Sequence, residues 1–472
     1  MSQLHILIPI RQPIVWGHMS YIKHLLISLT VLFSLLIWTS TDSFATTKYA
    51  ASTVQGTGDC SSAANAGLIA NCWSVIAAGD TLELADGTYT GASSNIDPPD
   101  TLAGTSTNRI TVKATNDGQV TIDGQFARPA LSLGAGNTYF TIEGINAHSG
   151  EGITVYLSGP NAILKRIVAW DAANTTTAEM VARSTRGPCL VEDSAFFGRG
   201  RKMLTFAQGG DGCTARRVWG MWMADTQHVS MPNNTLEIGY NSTNITFENT
   251  IATWNTLAGE GPQSPIGTLD VFYGDSDPSR ITNSKILGSI QYALNGYTFS
   301  PPRHIAATRM GEFEFKHNVA YFGSNFTTKY AYYLLNPGMG GVATNLRIVD
   351  SVAVGPRSPL NLFESDWTVT NLRQGTTVAN AIAPATSIFD VVPGICYQYI
   401  DRTLTNRPLW PWPMDQRIKD ARIAAGNAPI SSDGTVTKVI EDMFGPIPSQ
   451  CKTTGGGGTT VSPNPPTNLR VF

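Results

Sequence analysis

The chain has 472 residues, of which only 14% are charged, and its formal net charge at pH 7 is -3. This balance lacks the basic excess that attracts nucleic acid or an anionic membrane surface, so neither is an expected partner. The 45 glycines, with frequent Thr, Asn and Ser between short apolar runs, favour strands and turns over helices. The composition therefore predicts an all-β chain.

The N-terminal segment predicts export. An apolar run over residues 25–38 follows a Lys-His pair and precedes small residues, which is the pattern of a secretory signal. Residues 1–45 are therefore expected to be a signal peptide, with residues 1–18 a spurious upstream start before Met19. The run is shorter than the roughly 18–20 apolar residues that a spanning helix needs. A signal peptide is therefore favoured, and an uncleaved single-pass anchor is the alternative. We expect a secreted or cell-surface monomer, which contacts a membrane only if the signal is retained.

The cysteines predict disulfides. Their number is even, six, and no CxxC or Cys/His spacing indicates a metal site. Six cysteines allow fifteen connectivities, so the sequence leaves the pairing open. The pairs that we favour are Cys60 with Cys72, Cys189 with Cys213, and Cys396 with Cys451.

A short motif recurs around a marker position, Asn249 in the phrase NITFENTIATWN. The marker positions are Gly144, Arg166, Asp193, Ala215, Asn249, Asn283, Asn318 and Asp350. The first steps between markers are 22, 27 and 22 residues, and an apolar residue follows each marker by three positions. A repeat of this length with strand-like alternation predicts one coil of a parallel β-solenoid, with three short strands and three turns. Asn or Asp at the marker suits a tight bend in the left-handed region.

The predicted fold is an all-β, single-stranded right-handed parallel β-helix of three-strand coils over residues 46–384. The stretch CWSVIAAGD, which begins at Cys72, is expected to cap its N-terminal end. Two short helices are expected in residues 385–452, as a cap over the last coil. Residues 453–472 are expected to be a flexible linker followed by the first strand of a truncated fibronectin-like domain.

Three stretches near the N-terminus carry a family resemblance: AAGDTLELADGTYTG, NRITVKATNDGQVTIDG and YFTIEGINAHSGEGI. They resemble the opening coils of right-handed parallel β-helix proteins of the pectate-lyase-like superfamily, in particular polysaccharide lyases of the chondroitinase B and alginate lyase type. The resemblance covers roughly residues 48–380 and is most specific between residues 77 and 153. It implies the fold, whereas activity has to be argued from a site, because many β-helix proteins share such an opening.

Lyase chemistry is the activity that this resemblance implies, with calcium-binding acids and a lysine near the end of one strand and an arginine from a neighbouring coil. Between residues 178 and 295, which hold the candidate strands described below, no acid-x-acid pair is followed shortly by lysine. The nearest basic group, PPRHIAATR, contains Arg303 and Arg309, either of which would act as the base, as arginine does in pectate lyases. Surface pairing of these arginines with Glu312 or Glu314 is the alternative.

The third strand of successive coils carries a candidate site. Its predicted members are residues 178–183, 201–206, 235–240, 269–274 and 290–295. Alternation then gives an outward column that consists of Glu179, Lys202, Glu237, Asp270 and Gln291. Glu237 and Asp270 would lie in adjacent coils about 5 Å apart, where two carboxylates raise one pKa or bind a cation such as calcium. They are candidates for the acid and base of a glycosidase, and ordinary solvated carboxylates are the alternative.

Two long loops, GMWMADTQHVSMPNN and NTLAGEGPQSPIGT, are expected to wall this column. The first would bring His228 near it as a further catalytic candidate, although a lone loop histidine is commonly a solvated group. The substrate-binding candidates are Glu179, Lys202, Trp222, Asp225, Trp254 and Glu260. The two tryptophans would stack on sugar rings, with core packing as their alternative role.

Together these features predict an exported protein that binds polysaccharide along the exposed third-strand face and cleaves it as a lyase or a hydrolase. A non-catalytic surface or adhesion module is the alternative. Calcium is the cofactor that the carboxylate column suggests, with Glu237 and Asp270 as its ligands.

Overall fold

The computed structural model describes residues 45–173, 180–207, 209–223, 234–239, 242–255, 267–272, 281–293, 304–307, 310–322, 332–335, 345–355, 360–362 and 367–453. The signal-like segment and the C-terminal tail lie outside this part of the chain. The described residues from Thr46 onward belong to one compact unit.

Short strands follow one another along the described residues. The first are β1 (Thr47–Ala50), β2 (Thr81–Leu84), β3 (Gly87–Thr90), β4 (Ile110–Ala114), β5 (Val120–Asp123), β6 (Leu131–Leu133), β7 (Phe140–Glu143), β8 (Ile145–Gly150), β9 (Ile153–Leu157), β10 (Ala162–Lys165), β11 (Val168–Ala172), β12 (Met180–Ser184), β13 (Cys189–Gly198), β14 (Lys202–Phe206) and β15 (Thr214–Met223). The next are β16 (Asn234–Gly239), β17 (Thr246–Glu248), β18 (Ile251–Asn255), β19 (Gly267–Phe272), β20 (Ile281–Leu287), β21 (Ile290–Ala293), β22 (His304–Ala307), β23 (Met310–Lys316), β24 (Val319–Phe322), β25 (Tyr332–Leu335), β26 (Leu346–Val349), β27 (Val352–Val354), β28 (Leu360–Leu362), β29 (Trp367–Thr370) and β30 (Arg373–Gly375).

These strands form three parallel sheets that run along the length of the molecule. Sheet I consists of β6, β9, β12, β14, β16, β19, β22, β25 and β28. Sheet II consists of β1, β2, β4, β7, β10, the first halves of β13 and β15, β17, β20, β23, β26 and β29. Sheet III consists of β3, β5, β8, β11, the second halves of β13 and β15, β18, β21, β24, β27 and β30. Each full coil contributes one strand to each sheet, which confirms the predicted parallel β-helix of three-strand coils.

A left-handed backbone bend joins sheet II to sheet III in successive coils. It falls at Gly144, Arg166, Asp193, Arg217, Asn249, Gly288, His317 and Asp350, whose φ values lie between 47° and 77°. Five of the predicted markers therefore mark this bend. The other three, Ala215, Asn283 and Asn318, are wrong by one to five residues, because loops of unequal length separate the strands and the motif alone does not fix the register.

Side chains that point inward from the three sheets form one continuous hydrophobic core. In sheet I these include Leu204, Leu236 and Ile238, each at most 1% exposed. At the N-terminal end a short helix, α1 (Ile69–Cys72), contributes Ile69 and Cys72 to the same core. This helix and the 3-10 turn after it confirm the predicted N-terminal cap.

All three favoured disulfides are formed. The Cα–Cα distances are 5.7 Å for Cys60–Cys72, 4.3 Å for Cys189–Cys213 and 4.7 Å for Cys396–Cys451. The second bridge joins residues 24 positions apart, about one coil. Disulfides of this kind form and persist in oxidising compartments, which supports export.

The C-terminal region follows a path that the sequence does not predict. It contains α2 (Val378–Ile382), α3 (Ile388–Val391), an antiparallel hairpin of β31 (Tyr397–Ile400) and β32 (Thr403–Pro408), α4 (Asp415–Ala424) and α5 (Val436–Phe444). In α4 the guanidinium of Arg417 donates to Asn146 at 2.7 Å and to Asp117, both in early coils. The two predicted helices, α4 and α5, are therefore present, but residues 376–453, the flank segment, run back along the side of the β-helix instead of covering its last coil.

The outer face of sheet III explains this path, because it is apolar. Trp170 stacks on Phe197 there, with ring centroids 5.7 Å apart, and Trp219 lies tilted against Phe197 at 6.2 Å. They belong to a second hydrophobic core that includes Ile418 of α4 and Ile440 of α5. Burial of this apolar face, at about 25 cal/mol per Å², holds the flank segment in place.

Candidate functional site

Two of the three outer faces of the β-helix are already engaged within the chain. Sheet III is covered by the flank segment over the coils described above. Sheet II carries charges that neutralise one another from coil to coil. Their column consists of Glu83, Lys113, Glu143, Lys165, Glu192, Arg216 and Glu248, which are register partners in that order.

This alternation pairs almost every charge of sheet II with a neighbour. The Nζ atom of Lys113 lies 3.1 Å from Glu83, and that of Lys165 lies 3.3 Å from Glu143. Deeper in the molecule, burial alone would lower the pKa of Arg216, but the charge of Glu248 raises it well above the usual range. Sheet II is thus a self-paired face, which leaves sheet I as the face with chemistry to assign.

The outward column of sheet I is polar over five successive coils. Its members are Tyr156, Arg183, Thr205, Glu237 and Asp270, which are register partners in that order. The predicted adjacency of Glu237 and Asp270 is therefore confirmed at the level of the backbone, where parallel strands lie about 4.8 Å apart. The side chain of Asp270 lies outside the described part of the chain.

Glu237 is the centre of a buried polar cluster. Its carboxylate is fully buried and pairs with the ammonium of Lys202, which is 1% exposed. Thr205 Oγ1 donates to the same carboxylate at 2.9 Å, and Asn234 Nδ2 donates to it at 2.6 Å. Three donors thus satisfy a charge that would otherwise be costly to bury.

This cluster corrects two expectations. Glu237 does point outward by alternation, but it is buried and paired. The predicted place of Lys202 in the same column is wrong, since the register partner of Lys202 is Asn234 and that of Glu237 is Thr205. Lys202 is buried as well, so neither residue is an exposed substrate contact. Glu237 is also unsuited to be a free acid, base or calcium ligand, since the ammonium already occupies the place of a cation. Across the described residues, no group of three or more His, Cys, Asp or Glu side chains is arranged to hold a metal ion.

The predicted fifth member of the column, Gln291, is wrong. It lies in β21 of sheet III, where its partners are Ala252 and Ala320. The sheet I strand of that coil is β22, and Ile305 is the register partner of Asp270. The apolar alternation of residues 290–295 fits either sheet equally well, so the sequence alone could not decide between them.

Trp222 is not available as a sugar-binding platform. Trp222 is fully buried in the interior core, and its Nε1–H donates to the carbonyl of Gly200 at 2.8 Å. Its role is packing, which was the alternative. Trp254 is its register partner in the next coil, and the side chain of Trp254 lies outside the described residues.

The remaining predicted site residues fall outside the described part of the chain. These are Glu179, Asp225, His228, Glu260, Arg303 and Arg309. Their proposed roles stay predictions.

Sequence reasoning missed Tyr156 and Arg183. Tyr156 lies two coils and Arg183 one coil before Thr205 in the same outward column, and both are half-buried. The hydroxyl of Tyr156 lies 3.3 Å from Thr185 Oγ1. Knowledge of the strand register would have identified both residues. Arg183 is the last residue of the stretch AEMVAR, in which alternation indicates only Glu179.

Within the described residues, no helix is long and apolar enough to cross a membrane. No protein-family model matches the chain, and no curated protein matches it.

Solved structures with a similar fold include pectate lyase Pel9A, at 14% identity, with 73% of this chain and 83% of that chain covered and a TM-score of 0.53. An alginate lyase from Paenibacillus sp. str. FPU-7 matches at 12% identity, covering 71% of this chain and 99% of its own, with a TM-score of 0.44. PfbA, a surface adhesin of Streptococcus pneumoniae, matches at 10% identity, covering 65% and 84%, with a TM-score of 0.44. At 14% identity, the similarity to pectate lyase Pel9A shows the fold alone. The chain is a right-handed parallel β-helix protein with the pectate-lyase-like fold.

Proposed function

We propose that this exported protein binds acidic polysaccharide along the outward face of sheet I, at the coils of β9 and β12. The observation that carries the proposal is the register pairing of Tyr156 with Arg183 on that face, both half-buried. A half-buried aromatic ring packs on a sugar ring, and a guanidinium beside it binds a carboxylate through paired hydrogen bonds. Such a pair recognises a uronate better than a neutral sugar.

The charge of the neighbouring chain supports an acidic ligand. Residues 194–210 contain Arg199 and Arg201, besides the Lys202 that Glu237 neutralises, and no acidic residue. Arg199 is exposed and Arg201 is half-buried, at the start of the strand that follows Arg183 in sheet I. A local excess of positive charge raises the association rate of an anionic chain and its dependence on salt.

Cleavage of the bound chain is a second candidate function. It is favoured by the register of Asp270, which follows Glu237 on the same face. Because Glu237 is paired and buried, Asp270 is the carboxylate that we propose for proton transfer, with His228, Arg303 and Arg309 as further candidates from the sequence. Non-catalytic adhesion is the competing proposal, and turnover decides between them.

The binding proposal is tested with the Arg183→Ala variant on pectate, alginate and chondroitin. Loss of a charge-assisted contact, worth about 1.5–3 kcal/mol, weakens binding at least about tenfold. Arg347→Ala is the matched control, since Arg347 lies on the self-paired face of sheet II with 55% of its side chain exposed. Equal binding by both variants, or no binding of any of the three polymers by the wild type, would refute the proposal.

The cleavage proposal needs a separate assay on the same protein. A lyase produces unsaturated uronate, which absorbs in the ultraviolet, and a hydrolase produces reducing ends without that absorbance. The Asp270→Asn variant should bind as the wild type does and lose either product. Binding without any product in the wild type would establish the adhesion proposal instead.

A further inference from the structure

Phe126 carries an aromatic ring that is open to solvent. Four large apolar residues in the described part of the chain are exposed, namely Val54, Val75, Phe126 and Ile423, and Phe126 is the aromatic one, at 51%. It lies between β5 and β6, where the chain passes from sheet III to sheet I. The segment 124–129 is the Phe126 turn. A single exposed apolar side chain is ordinary on a protein surface, so the exposure alone indicates no function.

The backbone of the Phe126 turn is strained. Gln125 and Phe126 are consecutive, and both have left-handed φ values, 57° and 52°. A side chain with a Cβ atom is unfavourable in this region because it crowds the following carbonyl oxygen, whereas glycine fits without that cost. Strain of this kind is concentrated at functional sites, where the surrounding structure maintains it. Neither the local conformation nor core packing therefore accounts for phenylalanine at position 126.

Hydrogen bonds hold the Phe126 turn in this conformation. The Gln125 side chain is its anchor, since Oε1 accepts from the backbone N–H of Gly91 at 3.1 Å and from Nη1 of Arg128 at 3.2 Å. The backbone N–H of Phe126 donates to the carbonyl of Ser149, in the next coil, at 2.6 Å. The backbone that carries the exposed ring is thus fixed before any ligand arrives, and a preorganised surface loses less entropy on binding.

The Phe126 turn leads directly into the strand beside Tyr156. The carbonyl of Arg128 accepts from the backbone N–H of Glu151 at 3.1 Å, and further along the same two chain segments Ser132 of β6 is the register partner of Tyr156 in β9. The turn and the proposed binding face therefore belong to neighbouring coils. A polysaccharide that lies on Tyr156 and extends towards the edge of sheet III reaches the Phe126 turn.

The charges at the turn differ from those around Arg183. Half-buried Arg128 and exposed Glu151 bring opposite charges to it. Asp123 adds a second carboxylate, which accepts from the backbone N–H of Gln125 at 2.8 Å. The turn thus lacks a positive excess, and what it offers a sugar is the apolar face of a ring.

We propose that Phe126 is a second sugar-binding platform, on which a further unit of the polysaccharide bound at Tyr156 and Arg183 stacks. This inference rests on the proposed function and extends it. Arg183 recognises the charge of one sugar unit, and Phe126 packs on the ring of another. A long oligosaccharide gains from both contacts, whereas a disaccharide held at Arg183 gains from the first alone.

The test is calorimetric titration of the full chain with disaccharides and with long oligosaccharides from pectate, alginate and chondroitin. Phe126→Ala should weaken binding of the long oligosaccharides about tenfold and leave binding of the disaccharides unchanged. Phe126→Tyr keeps the ring and should bind as the wild type does. The matched control is Val75→Ala, which truncates another exposed apolar residue, in the N-terminal cap, and should change neither affinity.

The Phe126→Gly variant separates binding from folding, because it removes the ring and the strain together. It should bind the long oligosaccharides as weakly as Phe126→Ala does. Its urea midpoint should be at or above that of the wild type, since relief of the left-handed strain offsets the greater freedom of the unfolded chain. A lower midpoint would show that the ring stabilises the fold, and it would overturn the proposal.

Comparison with Arg183→Ala distinguishes failure of this inference from failure of the proposed function. Equal binding by the wild type and Arg183→Ala would refute the proposed function. Weaker binding by Arg183→Ala, with Phe126→Ala still binding the long oligosaccharides as the wild type does, would overturn the second platform alone. An equal loss for disaccharides and long oligosaccharides in Phe126→Ala would also overturn it, because the ring would then belong to the site at Arg183.

Discussion

Arg216 and Glu248 lie opposite each other in adjacent coils, and Nε of the arginine donates to Oε2 of the glutamate at 2.7 Å. Arg216 is 5% exposed and Glu248 is fully buried. Asp401 of the flank segment accepts a further hydrogen bond from Arg216 at 2.6 Å, and the backbone N–H of Arg402 donates to Glu248. The pair thus joins the charge column of sheet II to the flank segment.

We expect Arg216→Met to lower the free energy of unfolding by about 3–5 kcal/mol, because it leaves Glu248 buried without its cation. The measurement is urea unfolding followed by circular dichroism. Lys113→Met is the control: Lys113 pairs with Glu83 in the same column, but 43% of its side chain is exposed. Pairs of that kind contribute roughly 0–1 kcal/mol.

Equal losses in the two variants would contradict this prediction. They would mean that position in the column, and not burial, sets the contribution of each pair.

The features that the sequence predicted are those that depend on the period of the repeat. Once the coil length is known, Glu237 and Asp270 become neighbours, and a spacing of 24 residues places Cys189 above Cys213. The same reasoning failed at Gln291, where a longer insertion shifts the strand from one sheet to another. Period alone is reliable only while the loops are of constant length.

Lateral packing is what the sequence could not show. Arg417 reaches Asp117 across 300 positions, and no local pattern connects the two. The burial of Glu237 was missed for a related reason: alternation gives the direction of a side chain, but it does not tell what covers that side chain. Both errors concern contacts between surfaces and not the course of a strand.

The buried pair of Lys202 and Glu237 gives a second prediction. Lys202→Met should destabilise the fold by about 3–5 kcal/mol, since Glu237 would stay buried and charged. Lys202→Met/Glu237→Gln should recover most of that loss, because removal of both charges leaves no uncompensated group. Urea unfolding of the wild type and both variants measures the difference. A double variant no more stable than the single one would contradict the buried-charge explanation.

The disulfide of the flank segment should contribute more to stability than that of the N-terminal cap. Cys396–Cys451 closes 55 residues and Cys60–Cys72 closes 12. The entropy of loop closure then predicts losses of about 4 and about 3 kcal/mol for the paired alanine variants. Urea midpoints without reductant measure both. The reverse order would show that native contacts, and not the unfolded chain, dominate the effect.

His317 predicts a loss of stability in mild acid. It is buried between the β-helix and the flank segment, with Nδ1 2.6 Å from the hydroxyl of Tyr399. Burial lowers its pKa, and Lys316 lowers it further, while Asp350 and Glu314 act in the opposite direction.

The folded state therefore favours the neutral imidazole. The stability that this form contributes is fully present above about pH 6.5, the ordinary pKa of histidine, and is lost as the pH falls through the depressed value. We expect His317→Gln to lose less of its own pH 7 stability at pH 5 than the wild type does, as measured by urea unfolding at both values. Since burial also lowers the pKa of His148, His148→Gln should remove a separate part of the same acid loss. A His317→Gln variant as acid-sensitive as the wild type would show that carboxylates elsewhere, and not this contact, control the response.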